Sequence, residues 1–147
     1  MKKEELYSSI QNIIDNQADQ PGRFNYLLSL KLESAETEPV SITLSFDAGE
    51  WCLNPFGDVH GGVVASILDT SMGIGAAALS GTSVNTTDMS VSYLSALKGD
   101  KFYIHCEYTK VGRRMIRSMA RVLDHKGKIY ATAMGSFMVL GNEKMVG

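Results

Sequence analysis

The sequence predicts an α+β fold. One long central helix is wrapped by a curved antiparallel sheet of about six strands, with an extra helix at the amino terminus. Three observations predict it. The run from Gly61 to Ser80 is apolar or small on every side, which reads as a helix buried all round. Six other segments alternate apolar and polar residues with a period of two, as strands buried on one face do. Short turn-forming stretches separate most of these segments, so the strands connect as antiparallel neighbours. The 147 residues suit a single domain spanning 1–147, with residues 1–20 as the amino-terminal helix and 24–140 as the core.

Taken in order, residues 3–17 predict an amphipathic helix. Leu6, Ile10, Ile13, Ile14 and Gln17 recur at helical spacing, and Gln20-Pro21-Gly22 ends the pattern. This helix is expected to cover part of the sheet. Leu28, Leu30 and Leu32 then alternate with Ser29, Lys31 and Glu33, and Val40, Ile42, Leu44 and Phe46 alternate with Ser41, Thr43 and Ser45. The polar segment from Ser34 to Pro39 is expected to join these two strands as a hairpin.

The long helix opens after the turn formers Asn54, Pro55 and Gly57, and Gly81 ends it. Four more strands are expected at Thr86–Leu94, Lys101–Val111, Arg114–Asp124 and Ile129–Leu140. In the first, Thr87, Met89, Val91 and Tyr93 fall on one face and Thr86, Asp88, Ser90 and Ser92 on the other. Lys98-Gly99-Asp100, Gly112 and His125-Lys126-Gly127 mark the turns. Such a sheet has edges that need cover, and pairing two sheets across a two-fold axis supplies it, so at least a dimer is expected.

Composition excludes several classes. Hydrophobic residues at 44% and charged residues at 20% are ordinary for a soluble globular chain, and a net charge of −2 gives no general affinity for nucleic acid. The two cysteines, Cys52 and Cys106, show no metal-ligand spacing, and no disulfide can be inferred from them. Lys2-Lys3 runs into Glu4-Glu5 rather than an apolar stretch, so no secretory leader is expected and the cytoplasm is the expected location. The Gly61–Ser80 run approaches the length of a membrane span. Asp69 near its centre and its many Gly and Ala residues count against one.

Asp69 is the only charged residue between Asp58 and Asp88. An ionised carboxylate on an apolar helix must be paired, hydrogen-bonded, protonated or placed at a wet cleft. Ser66, Thr70 and Ser71 could satisfy it locally as a core polar group; alternatively it is a catalytic base or nucleophile. At the start of the same helix, Gly61 and Gly62 lack β-carbons, so a ligand can reach their backbone N–H groups. Free amides at a helix start can hold an oxyanion. The two glycines could also serve only a tight entry turn.

The step Asn54-Pro55-Phe56-Gly57-x-x-His60-Gly61-Gly62, Asp69 nine residues after His60, and Thr87-Asp88-Met89-x-Val91-x-Tyr93 form one pattern. Together these three features resemble the hotdog-fold acyl-CoA thioesterases. The pattern is most similar to the phenylacetate-pathway-like (PaaI-like) branch, which also contains a mammalian acyl-CoA thioesterase. The resemblance runs from the first strand to the last. It implies that Asn54 helps position thioester and water, that His60 lies near the thioester carbonyl, and that the Gly61 amide polarises that carbonyl. It further implies that Asp69 activates water or attacks directly. Thr86 matches a position where a relative has serine, a hydroxyl that holds the water.

Gly61 and Asp69 are eight residues apart, about 12 Å along a helix. A base must come within about 3 Å of its water, so one helix cannot bring both to one thioester. The family picture places Asp69 of one subunit opposite Gly61 of the other, in a homodimer with shared active sites, and anticipates a dimer of dimers.

Coenzyme A is anionic, and an acidic chain must gather positive charge locally to hold it. Lys110, Arg113 and Arg114 flank the Gly112 turn, and Lys126 and Lys128 flank Gly127. The arginines are the preferred phosphate contacts, because a guanidinium fork matches phosphate geometry. Gly62 is also placed among the substrate contacts.

The expected activity is hydrolysis of acyl-CoA to free acid and CoA. It needs no metal and no organic cofactor beyond the CoA of the substrate, and no nucleic-acid or membrane partner. A hotdog hydratase or dehydratase and a non-catalytic acyl-CoA binder remain as alternatives. His105 and His125 are expected to be structural or solvated. Met72, Met89, Met115, Met119, Tyr93 and Phe56 line a pocket or fill the core, with core filling the expectation.

Overall fold

A computed structural model describes residues 1–141; residues 142–147 of the expected domain lie outside the described residues. Helix α1 (Lys3–Ala18) and a short helix α2 (Phe24–Leu28) precede strands β1 (Lys31–Thr37) and β2 (Val40–Asp47). A 3₁₀ turn at Glu50–Cys52 leads to helix α3 (Gly61–Ser80). Strands β3 (Val84–Tyr93), β4 (Lys101–Val111), β5 (Met115–Leu123) and β6 (Ile129–Val139) follow. The strands form one six-stranded antiparallel sheet in the order β1-β2-β4-β5-β6-β3.

The period-two pattern explains the core. Phe46, Ile104, Tyr108, Ile116, Val122 and Phe137 are buried together with Val64, Ile67, Leu68 and Met72 of α3. Helix α1 buries Leu6 and Ile10 and lies against β1 and α3. Helix α3 is long and apolar enough to cross a membrane by length and composition, but in this fold it is the core helix against which the sheet packs. Gly81 ends it in the left-handed conformation with φ 73°, its N–H donating to the Ala77 carbonyl.

Two local expectations change. The predicted strand through Leu28, Leu30 and Leu32 starts later, because residues 24–28 are helical and Ser29 leaves that helix at φ 50°. The strand runs from Lys31 through Thr37, and only Glu38-Pro39, joined by a cis peptide bond, makes the turn. Leu28 and Leu30 are buried as their pattern demands, but on either side of the left-handed break. A register shift between Leu32 and Ser34 then turns Ala35 inward, which simple alternation could not reveal.

The second change is that α3 is not enclosed on every side. Gly62 is exposed, and Ala65, Ser66, Asp69 and Gly73 are only half-buried. These residues recur at helical spacing and form one open stripe along the helix.

Gly75 sets how closely β4 approaches α3. A β-carbon there would overlap the Tyr108 hydroxyl and lie 2.6 Å from its Cζ and 2.9 Å from Ile42 Cδ1. Tyr108 is buried, and its hydroxyl donates to the Met72 carbonyl at 2.8 Å. We expect Gly75→Ala to destabilise the fold by about 3 kcal/mol, through overpacking and an orphaned hydroxyl. A melting temperature within about 2 °C of wild type would contradict this packing.

Candidate active site

The loop before α3 is held by Asn54. Its side-chain Oδ1 accepts the N–H groups of Phe56 at 2.9 Å and Asp58 at 3.1 Å. Its own backbone N–H donates to the Asp58 carbonyl at 2.7 Å, and a Leu53–Val59 bridge closes the loop. Asn54 thus holds a side-chain turn, a use to which short amide side chains are suited. Its amide nitrogen has no hydrogen bond among the described residues.

His60 is the N-cap of α3. Its ring Nδ1 accepts from the Gly62 N–H at 2.9 Å, which places the proton of the neutral ring on Nε2. The His60 carbonyl accepts twice, from Val63 at 2.9 Å and Val64 at 3.0 Å.

The two glycines therefore differ. The Gly62 amide is committed to His60, and a β-carbon at Gly62 would crowd that ring at 3.3 Å. The Gly61 amide has no partner among the described residues. It belongs to the same peptide group as the doubly bonded His60 carbonyl, an arrangement that polarises the N–H. Gly61 lines a cavity of about 290 Å³ together with Asn54, Asp58, Val64, Tyr93 and Leu97. Lys98 Nζ lies 3.2 Å from Asp58 Oδ1 beside this cavity, in a geometry that makes an ion pair but not a hydrogen bond.

Asp69 is satisfied from outside its own helix. Thr86 Oγ1 of β3 donates to Asp69 Oδ1 at 2.7 Å. Ser66 donates instead to the Gly62 carbonyl at 2.7 Å, and the buried Ser71 hydroxyl has no hydrogen-bond partner among the described residues. Strict alternation places Thr86 opposite Met89, Val91 and Tyr93. A β-bulge between Thr86 and Asp88 corrects this by rotating Thr86 onto the helix side.

Within one chain the two chemical groups stay apart. Thr86 meets Asp69 near the start of β3, whereas Tyr93 at its end donates its hydroxyl to the Gly61 carbonyl at 2.7 Å. Sequence reasoning leaves Tyr93 among pocket or core residues. The structure leaves it 54% exposed on the cavity wall. Phe56, Met115 and Met119 are exposed too; of the six named apolar residues only Met72 is fully buried.

Lys110, Arg113 and Arg114 are exposed around the β4–β5 turn. The Arg114 carbonyl accepts from Val139, the partner of Val84, so this turn lies at the Thr86 end of the sheet. His105 faces outward from β4, bonded to Thr43 at 2.9 Å and 3.4 Å from Glu107. A cavity of about 370 Å³ on that outer face holds none of the motif residues. Both cysteines are free and buried, and burial pushes the Cys106 thiol far above its usual range, away from nucleophilic use. No cluster of potential metal ligands occurs among the described residues.

A six-stranded antiparallel sheet packed around one long helix defines the hotdog class. The chain belongs to the thioesterase superfamily, whose family model matches residues 56–131, just over half of it. No curated protein matches it in sequence. Its fold is that of the E. coli PaaI protein from the phenylacetic acid degradation operon, with a TM-score of 0.82 at 13% identity over 99% of this chain and 100% of that one. Zebra fish thioesterase superfamily member 2 gives 0.79 at 23% identity, over 95% and 99%. The Streptococcus mutans protein smu.793, solved bound to acetyl CoA, gives 0.70 at 22% identity, over 78% and 91%.

Proposed function

We propose that this protein hydrolyses acyl-CoA thioesters to the free acid and CoA, at sites shared by two copies of the chain. One observation carries the reading. The free Gly61 amide and the Thr86-held Asp69 carboxylate share one open surface but sit at opposite ends of β3. That surface joins the open stripe of α3 to β3, a sheet edge. A two-fold axis across it would run the helices antiparallel and bring Asp69 of one copy to Gly61 of the other.

In this arrangement the thioester oxygen accepts from Gly61 as negative charge develops. The Asn54 amide nitrogen is a further donor on the lining of the Gly61 cavity, and His60 Nε2–H is a donor on the residue before Gly61. The Thr86 bond fixes Asp69 Oδ1, and Oδ2 has no partner among the described residues. Asp69 either takes a proton from water that attacks the carbonyl, or attacks itself to give an anhydride that water then cleaves. In both cases the carbon–sulfur bond breaks and CoA leaves. Thr86 orients the carboxylate, and its oxygen retains lone pairs with which to hold the water.

The CoA phosphates are assigned to Arg113 and Arg114, with Lys110 beside them. Reversing both arginines to glutamate should raise KM for acyl-CoA about tenfold or more and leave kcat nearly unchanged. An unchanged KM would move the carrier site elsewhere. The reading as a whole is tested with a panel of acyl-CoA substrates and detection of free thiol. Thiol release by the wild type is expected. CoA binding without turnover of any thioester would point instead to a binding protein, and full activity from a monomer would refute the shared site.

A further inference from the structure

We infer that Tyr93 is a positioning residue for this site: its hydroxyl holds the first turn of α3 so that the Gly61 amide meets the substrate carbonyl. The inference rests on the thioesterase reading above.

The first turn of α3 has weak intrinsic order. Its first two residues are both glycine, which loses the most backbone entropy on becoming helical. An amide used as an oxyanion donor must nevertheless be fixed, because a misplacement of 1 Å can cost about a hundredfold in rate. Two contacts supply the rigidity. One is local, the His60 cap on Gly62. The other comes from the far side of the sheet connection, 32 residues away in sequence: Tyr93 Oη donates to the Gly61 carbonyl at 2.7 Å.

The tyrosine is not there to fill the core. It is more than half exposed, and its ring stands beside Gly61, 3.6 to 3.7 Å from where a β-carbon would sit. Ring and glycine both line the cavity at the start of α3. The final inward-facing residue of β3 thus ties the sheet edge to the tip of the helix. The bulge at Thr86–Asp88 puts Thr86 on the same inward side. One strand therefore braces both halves of the chemistry, Asp69 through Thr86 and Gly61 through Tyr93.

Tyr93→Phe removes only the hydroxyl. We expect kcat to fall about ten- to a hundredfold with KM within about twofold of wild type, because an orienting contact is lost and no substrate contact is. Combined with Gly61→Pro, which deletes the amide itself, Tyr93→Phe should cause little further loss, since the two act through one group. Amide hydrogen exchange should quicken at Gly62 and Val63 and stay unchanged at Ala76 to Ala78. Wild-type kcat in Tyr93→Phe, a full multiplicative loss on top of Gly61→Pro, or unaltered Gly62 exchange would each overturn the inference while the thioesterase reading stood. Absence of thiol release by the wild type would sink that reading and this role with it.

Discussion

Replacing Asp69 with asparagine is expected to lower kcat at least about a hundredfold, the scale of a general base, while the fold survives. The argument is steric and chemical. Asparagine has nearly the shape of aspartate, and its Oδ1 can still accept from Thr86, which now donates at 2.7 Å. The group is half-buried on the open stripe of α3 and not sealed in the core, so loss of charge leaves no buried orphan. What disappears is the basic oxygen that, in the proposed mechanism, takes the proton or attacks the carbonyl. Steady-state kinetics with thiol detection, beside a thermal melt, would check this. A variant close to the wild-type rate would end the assignment of Asp69.

Replacing Gly61 with proline is expected to cost about a hundred- to a thousandfold in kcat, the range for loss of one oxyanion donor. Proline is suited to the first position of a helix, where its missing N–H is not needed for the ladder. His60 already has φ −56° and ψ 135°, the extended conformation required of a residue before proline. A β-carbon at Gly61 would meet only the Tyr93 ring, at ordinary contact distance. The substitution therefore removes the donor and sets the ring Cδ where its hydrogen was, while the start of the helix tolerates the change. Activity retained in a well-folded Gly61→Pro protein would show that the oxyanion is held elsewhere.

The two variants also test the shared site when mixed. Neither homodimer should turn over. A mixed dimer has one site with both native groups and one with neither, so statistical exchange should restore about a quarter of wild-type activity. No restoration would place both groups within one chain.

Much of this was legible in the sequence because it rests on local rules. The period of two from Lys101 to Val139 fixed which residues face α3, and the run ending at Gly81 gave the helix its length and stop. The step from Asn54 to Gly62 and the solitary Asp69 singled out the candidate groups, since a charge in an apolar helix requires a reason.

What alternation could not supply was any event that breaks alternation. The left-handed Ser29 and the shift after Leu32 moved the first strand, and the bulge after Thr86 decided that its hydroxyl reaches Asp69. The division of labour between Gly61 and Gly62 depended on where the His60 ring turned, and the Tyr93 contact joins residues from separate elements. The sequence by itself determined the two long helices, five of the six strands and which groups carry charge, because propensity and burial act over a few neighbouring residues. Only the tertiary structure decided which amide stays free and what the carboxylate is bonded to, because hydrogen bonds between distant segments depend on register and packing that no single segment encodes.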